Sequence, residues 1–128
     1  MGELSQTVIS IVDNDELVRR ALKRLLISLG FTAEVFSSAQ DFLNSAHLHD
    51  TGCLILDVQM SGMSGLQLQS HLATAGYRIP IIVHTAHPND QVKAQALRDG
   101  AAAFLQKPAK EQDLLAAIRS ALKLCDQD

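Results

Sequence analysis

Cys53-Leu54-Ile55-Leu56, followed at once by Asp57, is the most apolar of the strand-like runs in this 128-residue chain, and it ends on a charge. Apolar residues in succession, without polar alternation, describe a strand covered on both faces, and therefore one at the centre of a parallel sheet. On the amino-terminal side lie two further β-branched or mixed runs, Thr7 to Val12 and Thr32 to Phe36. On the carboxyl-terminal side lie two more, Ile81-Ile82-Val83-His84 after Pro80, and Ala102 to Leu105.

Between these runs the period changes to that of a helix. Val18, Leu22, Leu25, Leu26 and Leu29 recur at helical spacing from Glu16, and Gly30 supplies the stop. Ser38-Ala39-Gln40-Asp41 has the form of a capping box and opens a helix through Phe42 and Leu43 to about Ala46. Further helices are expected from Gly65 to Gly76, from Asn89 to Arg98 with Gly100 beyond, and from Lys110 to Cys125 with Leu114, Leu115, Ile118 and Leu122 inward. Strict alternation of strand and helix predicts an α/β fold, a doubly wound five-stranded parallel sheet with five helices, because parallel neighbours need a crossover. The length suits a single domain over residues 1–128, and no internal repeat or linker divides it.

Composition narrows the function. No apolar run approaches the ~20 residues of a membrane span, and Met1 to Ser5 lack the regions of a signal peptide. A cytoplasmic address is the expectation. Eleven basic against fourteen acidic residues, net charge −3, offer no basic patch for direct nucleic-acid binding. Cys53 is expected to be a buried small hydrophobe and Cys125 a helix-face residue. His47 and His49 lack a third metal ligand and are expected to be solvated, His71 exposed, and His84 buried and neutral.

In an open doubly wound sheet, ligands bind beyond the carboxyl ends of the strands. Asp13-Asn14-Asp15 follow the first strand, Asp57 the third, Thr85 the fourth, and Lys107-Pro108 the fifth. Singly, each could be a turn or cap residue. Together they bring carboxylates, an amide, a hydroxyl and an ammonium to one edge. The chain has no glycine between Gly2 and Gly30, which excludes the glycine-rich nucleotide loops. Clustered carboxylates call for a hard cation, and oxygen ligands in a half-solvated cleft suit Mg²⁺.

Taken in order, Asp13 and Asn14, Asp57, Met63-Ser64-Gly65, Thr85, Phe104 and Lys107-Pro108 resemble the receiver domain of two-component response regulators, over about residues 7–124. The stretches Phe36 to Leu43 and Gly100 to Leu105 are similar to the nitrogen-fixation-regulator branch. The resemblance implies the flavodoxin-like strand order 2-1-3-4-5 and a phosphoacceptor at Asp57. It implies Lys107 and Thr85 as partners in phosphoryl transfer, and Mg²⁺ on Asp13, Asn14, Asp57 and the Gln59 backbone carbonyl. It also implies Thr85 and Phe104 as the switch, with Gln59 and His87 tuning the lifetime of the phosphorylated state. The domain would be a phosphoacceptor rather than an enzyme. Its implied partners are a sensor histidine kinase, a second copy through the α4-β5-α5 face, and a C-terminal DNA-binding domain not in this chain; the ending without a linker reads as a fragment.

Two residues depart from the family pattern. Asn14 stands in place of a second acid, and Ser61 where the loop usually has proline. Asn14 gives some support to an alternative, a pseudo-receiver that binds partners without phosphorylation. Asp13-Asn14-Asp15 also fits the D-x-D pattern of Mg²⁺-dependent phosphatases, which place the nucleophile after the first strand, although such enzymes need a cap or extra residues to bind a substrate.

Overall fold

A computed structural model describes residues 7–126, with side chains described as far as Leu122. Five strands, β1 (Val8–Val12), β2 (Thr32–Phe36), β3 (Thr51–Leu56), β4 (Ile81–Thr85) and β5 (Ala103–Gln106), alternate with five helices. These are α1 (Glu16–Ser28), α2 (Ala39–Leu43), α3 (Gly65–Thr74), α4 (Asp90–Arg98) and α5 (Glu111–Asp126). All strand pairs are parallel, in the order β2-β1-β3-β4-β5. The fold class and strand order are those expected.

Successive side chains of a strand leave opposite faces, and the core divides accordingly. One face carries Val12, Leu54, Leu56 and Val83 against α2, α3 and α4 through Phe42, Leu68, Leu72 and Ala96. The other carries Ile9, Ile11, Cys53, Ile55 and Ile82 against α1 and α5 through Leu22, Leu26, Leu114 and Ile118. Cys53 is fully buried, as expected; the side chain of Cys125 lies outside the described residues, and Met1 to Ser5 lie wholly outside them.

Most boundaries shift by a residue or two from the sequence reading, and three departures have a visible cause. β3 starts at Thr51, because the Thr51 hydroxyl is satisfied inside by Ser10 Oγ at 2.7 Å and by the His47 carbonyl, which it donates to at 2.7 Å. α2 ends at Leu43 and not near Ala46; Asn44 closes it, and Ser45 turns the chain by accepting from the His47 amide. The expected capping box at Ser38 is half formed: Ser38 Oγ accepts from the Asp41 amide, while the Asp41 carboxylate accepts from Ser37 Oγ. A complete box sits instead at α3. There Ser64 Oγ accepts from the Gln67 amide and Gln67 Oε1 accepts from the Ser64 amide.

Candidate functional site

The residues singled out beyond the strands lie together at the carboxyl edge of the sheet. Their backbones are fixed to neighbouring strand ends: the Asp13 amide donates to the Phe36 carbonyl, the Asp57 amide to Val12, and the Lys107 amide to Thr85. Asp13 and Asp57 are only 2% and 5% exposed, so two carboxylates are removed from water side by side.

The acidic triplet splits by role. Asp13 faces inward, with Oδ1 accepting from the Asp15 amide and its carbonyl accepting from the Arg19 guanidinium at 2.8 Å. Asp15 is the N-cap of α1, accepting from the Leu17 amide at 2.9 Å. That employment takes the second acid of the D-x-D spacing out of the buried pair. Asn14 is exposed and lines the rim of a cleft of about 480 Å³, together with Asp57, Gln59, Ser61, His87 and Lys107.

One ammonium balances the two acids. Lys107 Nζ lies 2.7 Å from Asp13 Oδ2 and 3.4 Å from Asp57 Oδ2. Burial holds the Asp57 pKa above the ordinary carboxylate value, and repulsion from Asp13 adds to this. Lys107 and the Gln59 amide act in the opposite sense without cancelling the rise. The charged form of Asp57 thus gains from any added positive charge. Gly65 holds the floor. A β-carbon there would strike the Asp57 carbonyl oxygen and come within 2.9 Å of Val58 Cα, so the start of α3 packs directly on the backbone of Asp57.

Thr85 is the last residue of β4 and not the first beyond it, and it is buried. Its hydroxyl accepts from the His87 amide at 3.2 Å, which leaves the hydroxyl proton to be donated. Phe104 pairs in register with Val83, and its half-buried ring packs on the α2–α4 face of the sheet. Thr85, two residues beyond Val83, leaves the same face. The intervening His84 therefore leaves the opposite face, toward α1 and α5. It is buried, and desolvation first, then the charge of Lys107, lower its pKa to about 4, so it is neutral at pH 7. His71 is exposed, and His47 lies 3.8 Å from Glu34 Oε2. The sequence reading missed Arg19 and the packing duty of Gly65; only the helix face of Arg19 was available as a signal.

The donor set fits a hard cation. The cleft offers oxygen ligands: the Asp57 carboxylate, with buried Asp13 sharing its ammonium behind it, and the Asp15 carboxylate and Asn14 amide in the lining. Among the described residues no three His, Cys, Asp or Glu side chains form a metal cluster, so a cation here would draw on Asn14 and backbone oxygen as well.

The family model of the response regulator receiver domain matches residues 9–119. The chain belongs to the response regulator receiver family. It is 48% identical over 122 residues to response regulator protein TmoT of Ectopseudomonas mendocina, covering 95% of this chain and 56% of that protein. Transcriptional regulatory protein FixJ of Azorhizobium caulinodans is 37% identical over 114 residues, covering 89% of this chain and 54% of its own length, in keeping with the nitrogen-fixation-regulator likeness. The solved structure of response regulator StyR superposes with a TM-score of 0.86 at 42% identity, over 93% of this chain and 60% of that one. This receiver spans about half the length of the curated relatives it matches. No helix among the described residues is long and apolar enough to cross a membrane.

Proposed function

We propose that Asp57 of this receiver accepts a phosphoryl group from a phosphohistidine of a sensor histidine kinase in the cytoplasm. The observation that carries the reading is the position of Asp57. Of the two buried acids paired with Lys107, it is the one that lines the cleft. A carboxylate oxygen of Asp57 attacks phosphorus, the bond from phosphorus to the histidine nitrogen breaks, and an acyl phosphate results. Positioning and charge do most of the work in such a transfer. Lys107 neutralises the phosphoryl oxygens, and the Thr85 hydroxyl donates to one of them. Asp13, Asp57, the Gln59 carbonyl and Asn14 would hold Mg²⁺, which supplies positive charge between the acid and the incoming dianion.

Water later cleaves the acyl phosphate at the phosphoryl group, so the domain resets itself. Gln59 and His87 both line the cleft, which supports a role for them in setting how fast water enters. When the Thr85 hydroxyl turns to the phosphoryl group, it leaves space on the face that Phe104 shares, and the ring follows. The surface of α4, β5 and α5 changes shape and favours pairing with a second copy. Control of transcription would follow through a DNA-binding domain outside this chain.

Intact mass after incubation with acetyl phosphate and Mg²⁺ tests the reading. The expected result is a gain of one phosphoryl group that Asp57→Asn abolishes. Full labelling of Asp57→Asn would move the acceptor elsewhere, and an unchanged wild-type mass would favour the pseudo-receiver.

A further inference from the structure

Position 14 lacks the acid of the family pattern, but the next residue is an acid, and it stands at the same opening. Asp15 lines the cleft of about 480 Å³ together with Asn14, Asp57, Gln59 and Lys107. Its Oδ1 is engaged as the α1 cap, accepting from the Leu17 amide at 2.9 Å. Its Oδ2 makes no hydrogen bond or ion pair among the described residues. The charge of Asp15 is also without a partner of opposite sign. The Lys107 ammonium is held by Asp13 and Asp57, and the Arg19 guanidinium donates to the Asp13 carbonyl. Three acids, two buried and one at the opening, therefore share one ammonium. The exposed acid is tied to a buried one, because the Asp15 amide donates to Asp13 Oδ1 at 2.9 Å.

We infer that Asp15 supplies the negative charge that Asn14 does not, so that the cleft attracts a hard divalent cation through an acid one position further along the chain. The inference rests on the reading of the cleft as a cation site. An amide brings an oxygen without charge, whereas affinity for hard cations follows the charge count of the site. Such attraction needs no direct bond. Mg²⁺ keeps several waters when it binds a protein, and a carboxylate can accept from those waters. That mode suits Asp15, because no three His, Cys, Asp or Glu side chains among the described residues could hold one metal directly. A residue that only capped α1 would have no need of charge, since Asn and Ser cap about as well as Asp. The α1 amino terminus also gains from an anion, but that gain does not depend on Mg²⁺. The two oxygens of one side chain thus have separate duties: Oδ1 closes the helix, and Oδ2 faces the solvent that a cation must cross.

Calorimetric titration of Mg²⁺ into the full chain, with no phosphodonor present, separates these duties. Asp15→Asn keeps the cap and removes the charge. It should melt at the wild-type temperature without Mg²⁺, yet bind Mg²⁺ about fivefold more weakly, the scale of one exposed charge acting on a dication. Salt at about 1 M, where screening leaves a reach of only about 3 Å, should close most of that gap. Glu16→Gln removes a charge from the same helix end, but Glu16 does not line the cleft. Its affinity should stay within about twofold of the wild type. Equal affinity of Asp15→Asn and wild type would overturn the inference. So would a loss in Glu16→Gln as large as that in Asp15→Asn, since net charge alone would then be at work. If Asp15→Asn melts lower, Asp15→Ser, a second cap without charge, is held to the same expectation. Absence of saturable binding in the wild type would remove the cation site itself, a failure seen before any variant is tested. No phosphoryl group takes part, so failure of Asp57 to accept one would leave these results standing.

Discussion

The Lys107 ammonium makes its shorter contact, 2.7 Å, with Asp13, and its longer one, 3.4 Å, with the cleft-lining Asp57. Asp13 therefore serves as the resting station of the charge, and Asp57 is left with the weaker share of it. Replacing Lys107 with Met keeps the stem and removes the charge. Labelling by acetyl phosphate should fall by about 100-fold, the usual scale for losing one preorganised donor to developing charge. The Asp57 pKa, followed by carbon NMR of its carboxyl, should rise further than it already stands.

His84 makes the fold sensitive to acid. Its pKa is about 4 in the folded chain against 6.5 as the unperturbed value. Between these limits the unfolded chain binds the extra proton, so stability is full above about pH 6.5 and is lost as pH falls toward 4. The loss by pH 5 should be about 2 kcal/mol. Lys107 deepens the shift and Asp13 opposes it. Asp57, whose pKa is raised, acts with the reverse sign: its ionisation lowers stability as pH rises through its folded pKa. Urea melts from pH 5 to pH 7.5 should show a steeper fall toward acid in the wild type than in His84→Leu; identical slopes would contradict the assignment.

Gly65 opens α3, and an exchange of glycine for alanine within a helix ordinarily stabilises it by about 1 kcal/mol. Here the new β-carbon would meet the Asp57 carbonyl. Gly65→Ala should instead destabilise by about 1–3 kcal/mol, the range for overpacking. Thermal melts would give the sign directly, and phosphoryl uptake should slow as the Asp57 backbone is pushed out of place.

Asn14 is exposed on the cleft rim, where the family pattern has an acid. Asn14→Asp adds a negative charge beside the two buried acids, and should tighten Mg²⁺ binding severalfold. Titration followed by NMR or calorimetry would show it. Equal or weaker affinity would mean that position 14 does not reach the cation.

Much of this was legible because each site residue stands at the boundary where an apolar strand run gives way to a polar group. Asp57 after Leu56 and Lys107 before Pro108 are plain on that ground. The division of labour in Asp13-Asn14-Asp15 was not. The two acids have the same chemistry, and only the backbone turn at Asp15, which makes it the α1 cap, tells them apart. The true capping box at Ser64 was hidden because Gln67 is an amide inside a mixed polar stretch. Alternation along β4 implied that His84 and Thr85 leave opposite faces. It could not reveal that Nδ1 of His84 has no hydrogen-bond partner among the described residues, since that depends on helices far away in sequence. Likewise, whether α2 ran on to Ala46 turned on Asn44 and the Ser45 hydroxyl, which compete with the helix for backbone groups.

The charge balance of the cleft has a temporal side. Asp13 and Asp57 belong to the first half of the chain, whereas Lys107 follows the last strand, at the edge of the sheet. As a nascent chain leaves the ribosome from its amino terminus, both acids emerge long before the ammonium that lets them be buried together. β2, β1, β3 and β4 can pair in that interval, yet the carboxyl edge they share carries uncompensated negative charge until β5 docks. The strand that contributes fewest residues to the sheet thus delivers the counter-charge, and the site closes late, with only α5 still to follow.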